Sequence, residues 1–87
     1  MSWHIASLIL RCRPDATTEL SRLIAADQAY GLRAAAAGRL VVLIEGQDEV
    51  QLADRMNGLR ELPGVLAVDL VHHEIDDDEV ADATVTP

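Results

Sequence analysis

The stretch "YGLRAAAAGRLVVLIEG", Tyr30 to Gly46, decides the fold. Its second half, Arg39 to Gly46, is apolar, rich in β-branched residues and ended by a glycine, which reads as a strand. Its first half, Tyr30 to Ala36, reads as a weaker strand, because alanine suits a helix equally well. Gly38 supplies the turn between them, so the two halves form a hairpin.

Outward from this hairpin the chain is nearly symmetric. Before it lies "RPDATTELSRLIAA", where Pro14 and Asp15 are helix start signals and Ala16, Leu20, Leu23 and Ile24 recur at helical spacing. After it lies "DEVQLADRMNGLREL", opened by Asp48 as N-cap with Gln51 at the N3 position. Leu52, Met56 and Leu59 form its apolar stripe, and Gly58 within it marks expected fraying. Beyond the first helix, towards the N-terminus, is the strand "WHIASLILRC", Trp3 to Cys12. Beyond the second, after Pro63-Gly64, is the strand "VLAVDLVHHE", Val65 to Glu74.

The order β-α-β-β-α-β predicts an α+β, ferredoxin-like fold. Right-handed crossovers put both helices on one face of an antiparallel sheet of strand order 4-1-3-2. One domain is expected over residues 1–74, with residues 75–87 an acidic, disordered tail.

A sheet covered on one face leaves the other open. Alternation along the strands assigns Leu8, Leu10, Leu40, Val42, Leu66, Val68 and Leu70 to the helix side. The open side then carries Ile5, Ser7, Ile9, Val41, Leu43, Ala67, Asp69 and Val71, with Glu45 at the end of its strand. That set is too apolar for a face left to water and reads as a binding surface. Pairing of two copies through the same sheet is the plainer alternative. Asp69 interrupts the apolar run and needs water or a cationic partner.

Composition sets the class of partner. The 87 residues carry a net charge of −8, from 15 acids and 7 basic residues, all arginine. Six acids lie between Glu74 and Asp82, so the body is nearly balanced. Nucleic acid and anionic membrane surfaces, which reward positive charge, are not expected partners. No apolar run approaches the ~20 residues of a membrane helix, and none resembles a secretory leader. The single cysteine, Cys12, excludes an internal disulfide and suits the cytoplasm.

Catalytic patterns are missing. No glycine-rich phosphate loop or nucleophile elbow occurs, and no histidine is fixed near Cys12 by spacing. No catalytic residue, cofactor or metal is therefore expected. The strongest metal candidate combines His4 and His72, brought together on adjacent strands, with Glu45 at the same edge. His72 and His73, being adjacent, point to opposite faces.

Three segments together, "WHIASLIL", "GRLVVLIEG" and "LPGVLAVDLVHHE", resemble the NapD family over residues 2 to about 74. The resemblance implies a ferredoxin-like cytoplasmic chaperone, not an enzyme, without catalytic residues or a cofactor. Its implied partner is the twin-arginine signal peptide of the periplasmic nitrate reductase catalytic subunit. The implied role is to hold that client back from export until its molybdenum cofactor is inserted. The peptide is then expected on the open sheet face as an amphipathic helix, its arginines seeking Asp69, Glu45 or the rim. The chaperone itself is expected as a monomer or weak homodimer. A small-molecule-binding regulatory domain of the same fold is the alternative.

Overall fold

The computed structural model describes residues 2–77. Strand β1 runs Ser2–Cys12, followed by a 3₁₀ turn at Pro14–Ala16 and helix α1 at Thr17–Ala26. Strands β2 (Tyr30–Ala36) and β3 (Arg39–Gly46) form the hairpin, helix α2 spans Glu49–Arg60, and β4 runs Val65–Asp77. The four strands form one antiparallel sheet in the order β2-β3-β1-β4, which is the order expected from the sequence.

Local chemistry explains where the elements turn. Gly38 (φ 79°) and Gly64 (φ 90°) occupy left-handed backbone that a side chain would strain. A Cβ on Gly64 would also approach the Ala16 Cβ to 2.7 Å. Helix α2 starts as its sequence predicts: Asp48 Oδ1 accepts from the Gln51 amide at 2.8 Å. The Gln51 side chain reaches back to accept from the Gln47 amide, one residue before the cap.

Both helices pack on the face formed by the even-numbered residues of β1. Ala6, Leu8, Leu10 and Cys12 are buried there with Leu40, Val42 and Ile44 of β3, Val68 of β4, Leu20 and Ile24 of α1, and Leu52 and Leu59 of α2. This aliphatic cluster supplies the main driving force for folding.

Gly58 does not mark fraying, because α2 continues to Arg60. A Cβ at Gly58 would lie 2.8 Å from the Tyr30 hydroxyl, which donates to the Arg55 carbonyl at 3.0 Å. The glycine makes room for that cross-element bond.

Strand β4 departs from simple alternation twice. Leu10 opposes Val68, Arg11 opposes Ala67 and Cys12 opposes Val65, so Leu66 has no opposite residue. Leu8 opposes Leu70 and Ser7 opposes His72, so Val71 has none either. Each is a β-bulge, and each shifts the facing of everything beyond it. Alternation assigns Leu66 to the helix side; at the bulge it is instead 68% exposed. Leu70 keeps its helix-side register opposite Leu8 but lies at the sheet edge, half exposed.

The strand also continues three residues past the expected end at Glu74, with Ile75, Asp76 and Asp77 opposite His4, Trp3 and Ser2. The remainder of the acidic tail, 78–87, lies outside the described residues. None of the described helices is long and apolar enough to cross a membrane.

Candidate functional site: the open face of the sheet

The registers arrange the open face as five rows across the sheet. At one end Trp3 opposes Asp76. Next comes Glu45–Ile5–Glu74, then Leu43–Ser7–His72, then Val41–Ile9–Asp69, and last Arg39–Arg11–Ala67. From the edge strand β2, Gly31, Ala34 and Ala36 extend the last three rows. Of the residues expected on this face, the structure puts Ile5, Ser7, Ile9, Val41, Leu43, Glu45, Ala67 and Asp69 there. Val71, expected among them, is instead the unopposed residue of the bulge.

The centre of the face is apolar. Ile5, Ile9, Val41 and Leu43 are half-buried on the side away from α1 and α2, and their neighbours on β2 opposite Leu43 and Val41 are the small residues Gly31 and Ala34. The two ends are charged: the first is mainly acidic, with Arg33 and Arg55 lining the β2 side of the hollow that holds Trp3 and Glu45, and the other is basic. At the first end the Trp3 indole Nε1 donates to Glu45 Oε1 at 2.7 Å, and Trp3 remains 40% exposed. Glu74 and Asp76 share this end, with His72 Nε2 3.4 Å from Glu74 Oε2. At the other end Arg11 and Arg39 are direct cross-strand neighbours, both exposed. Neither forms an ion pair among the described residues. Asp69, exposed in the row beside them, is the acid nearest that end of the face.

Sequence reasoning missed Glu74, Asp76 and His72. Without the bulge at Val71, alternation sends them to the helix side. Trp3 and Arg11 share the parity of Ile5 and Ile9, so alternation alone was enough to find them. The bulge also separates the members of the metal candidate weighed in the sequence. His72 and Glu45 fall on the open face while His4 faces the helices, and no three His, Cys, Asp or Glu residues are grouped for a metal ion among the described residues. The histidine that meets His4 is His73, with Nδ1 of His4 and Nε2 of His73 2.9 Å apart. On that helix side, between α2 and β4, a cavity of about 230 Å³ is lined by Ala6, Leu52, Met56, Leu70 and His73.

Residues 3–77 match the family model described as "NapD protein". The chain belongs to the NapD family. It is 28% identical over 75 residues to "Chaperone NapD" of Escherichia coli (strain K12), covering 84% of this chain and 86% of the relative. It is 26% identical over 77 residues to "Chaperone NapD" of Haemophilus influenzae, covering 86% and 83%. Its fold is similar to "Solution structure of the E. coli Tat proofreading chaperone protein NapD", with a TM-score of 0.74 and 25% identity over 88% of this chain and 82% of that one. As a NapD-family member the chain is a chaperone, not an enzyme, and its partner is a protein.

Proposed function

We propose that this NapD-family chaperone binds the twin-arginine signal peptide of the periplasmic nitrate reductase catalytic subunit in the cytoplasm. It holds the client from export until the molybdenum cofactor is in place. The observation that carries this reading is the open sheet face: an uncovered apolar centre beside a concentration of carboxylates, on a member of a chaperone family. A twin-arginine signal joins two cations to an apolar stretch, and this face offers both matching surfaces.

The peptide docks as an amphipathic helix whose apolar side covers Ile5, Ile9, Val41 and Leu43, flanked by Ser7 and Ala67. Its arginines pair with carboxylates drawn from Glu45, Asp69, Glu74 and Asp76. Burial of the apolar strip supplies most of the affinity, and the carboxylates supply selectivity and encounter rate. Membership in a chaperone family leaves the small-molecule regulatory alternative without a supporting observation.

The test is a calorimetric titration with the signal peptide and with a variant in which both arginines are lysines. Saturable binding of the first, weakened in the second, is expected. No saturable binding of the arginine form rules the reading out.

A further inference from the structure

The charges of the open face lie at its two ends, on either side of the apolar centre, and this constrains how a ligand lies on it. Trp3, Glu45, Glu74 and Asp76 occupy the first two rows, and Arg11 and Arg39 the last. Trp3 and Arg11 are eight residue steps apart on β1, about 26 Å of strand at ~3.3 Å per residue. A helix of about 17 residues, at 1.5 Å per residue, has that length. One helical segment laid along β1 therefore touches both ends at once.

Arg11 and Arg39 stand directly opposite each other. Like charges in that relation are unfavourable, and neither has an ion-pair partner among the described residues to offset the repulsion. A negative group brought to this end relieves it. The C-terminus of a helix is such a group, because its last carbonyls are unpaired and carry the negative end of the macrodipole.

The opposite end gathers the carboxylates Glu45, Glu74 and Asp76; Arg33 and Arg55 line only its β2 side, where Arg55 Nε donates to the Glu45 main-chain carbonyl at 2.9 Å and not to its carboxylate. Glu45 uses Oε1 to accept from the Trp3 indole, which leaves Oε2 for an incoming donor. The exposed indole offers a face on which a planar cation stacks. Arginine uses both features together, and lysine cannot reproduce the planar stack. Glu74 stands on the other side of Ile5 from Glu45, two strand spacings or about 10 Å away, so consecutive arginines splayed around a helix reach separate carboxylates.

We infer that the bound signal peptide has one orientation: its arginines at Trp3, Glu45, Glu74 and Asp76, and the C-terminal end of its helix over Arg11 and Arg39. This rests on the signal-peptide reading above and deepens it. The reverse orientation puts arginines against arginines and helix carbonyls against carboxylates, so both ends oppose it. Asp69 then acts as a neighbour that tempers the Arg11–Arg39 pair, not as the principal arginine seat.

The test uses the full chain, isotopically labelled, and two synthetic copies of the signal peptide. One carries a nitroxide before the arginines and the other carries it after the apolar stretch. The inference requires the first to broaden the amide signals of Trp3, Ile5, Glu45 and Glu74, and the second those of Ile9, Arg11, Arg39 and Val41. The opposite pattern, or equal broadening at both ends by each peptide, overturns the orientation while leaving signal-peptide binding intact. Failure of the unlabelled peptide to perturb any signal at saturating concentration overturns the signal-peptide reading, and the orientation with it.

Discussion

Trp3 and Glu45 are joined across the open face by a 2.7 Å hydrogen bond from indole to carboxylate. The bond fixes the carboxylate beside an exposed aromatic surface, so the pair acts as one unit towards a cation. Replacing Glu45 with Gln keeps an acceptor for the indole but removes the charge. Glu45→Gln is expected to weaken signal-peptide affinity about tenfold to a hundredfold, matching the ~1.5–3 kcal/mol of a charge-assisted bond. Titration calorimetry checks this, with circular dichroism to confirm an unchanged fold. Affinity within a factor of about two of the parent removes Glu45 from the site.

Asp69 provides a comparison on the same face. It lies one row from Arg11 and Arg39 and is fully open to solvent screening. Asp69→Asn should therefore change binding by less than ~1 kcal/mol in either direction, with the effect fading as salt rises. A loss larger than that of Glu45→Gln places the arginines at the other end of the sheet.

The acids beyond the described residues are expected to contribute through their long-range field. Deleting residues 78–87 removes Asp78, Glu79 and Asp82 and leaves every described pairing of β4 with β1 in place. Stopped-flow association with the peptide should slow severalfold at low ionic strength, and converge with the full chain near ~0.5 M salt, where the field is screened within a few ångströms. A thermal midpoint well below that of the full chain contradicts a purely electrostatic role.

Tyr30 and Gly58 form a coupled pair away from the binding face. Tyr30→Phe removes the bond to the Arg55 carbonyl and should cost about 1 kcal/mol. Gly58→Ala should destabilise the parent, because the new Cβ meets the Tyr30 hydroxyl. In the Tyr30→Phe background the same change should stabilise by up to ~1 kcal/mol of helix propensity. Urea unfolding of the parent, the two single variants and the double variant measures the cycle, and simple additivity contradicts the contact.

The same hydroxyl gives a pH signature. Burial first, and then the Asp27 charge, raise the Tyr30 phenol above its ordinary range. A phenol favoured in its neutral form contributes stability that is complete below about pH 10 and lost as pH rises through the folded value. Stability should thus decline more steeply above about pH 10 in the parent than in Tyr30→Phe. Equal slopes contradict it.

Much of this molecule was legible in the chain order and the period of its apolar residues. The Gly38 hairpin, the Asp48 cap and the alternation along β1 and β3 were enough to fix the topology, the helix-covered face and most of the open one. The bulges were not legible. Nothing in "VLAVDLVHH" distinguishes Val71 as an extra residue, because its neighbours on either side suit a regular strand. Yet that one residue exchanges the faces of everything after it. It brings Glu74 and Asp76 to the Trp3 end, turns His73 towards His4, and makes Asp69 one of several acids on the face. Register depends on how β4 is seated against β1 and the helices, and a single strand's sequence does not contain that.

The measurement that bears most directly on the central claim maps the peptide onto the sheet. Amide signals of the labelled chain are followed while the signal peptide is added to saturation. The largest shifts are predicted at Ile5, Ser7, Ile9, Val41 and Leu43, on the open face. Shifts concentrated instead at Leu52, Met56 and Leu70, around the cavity between α2 and β4, would contradict the assignment of the open face as the binding surface.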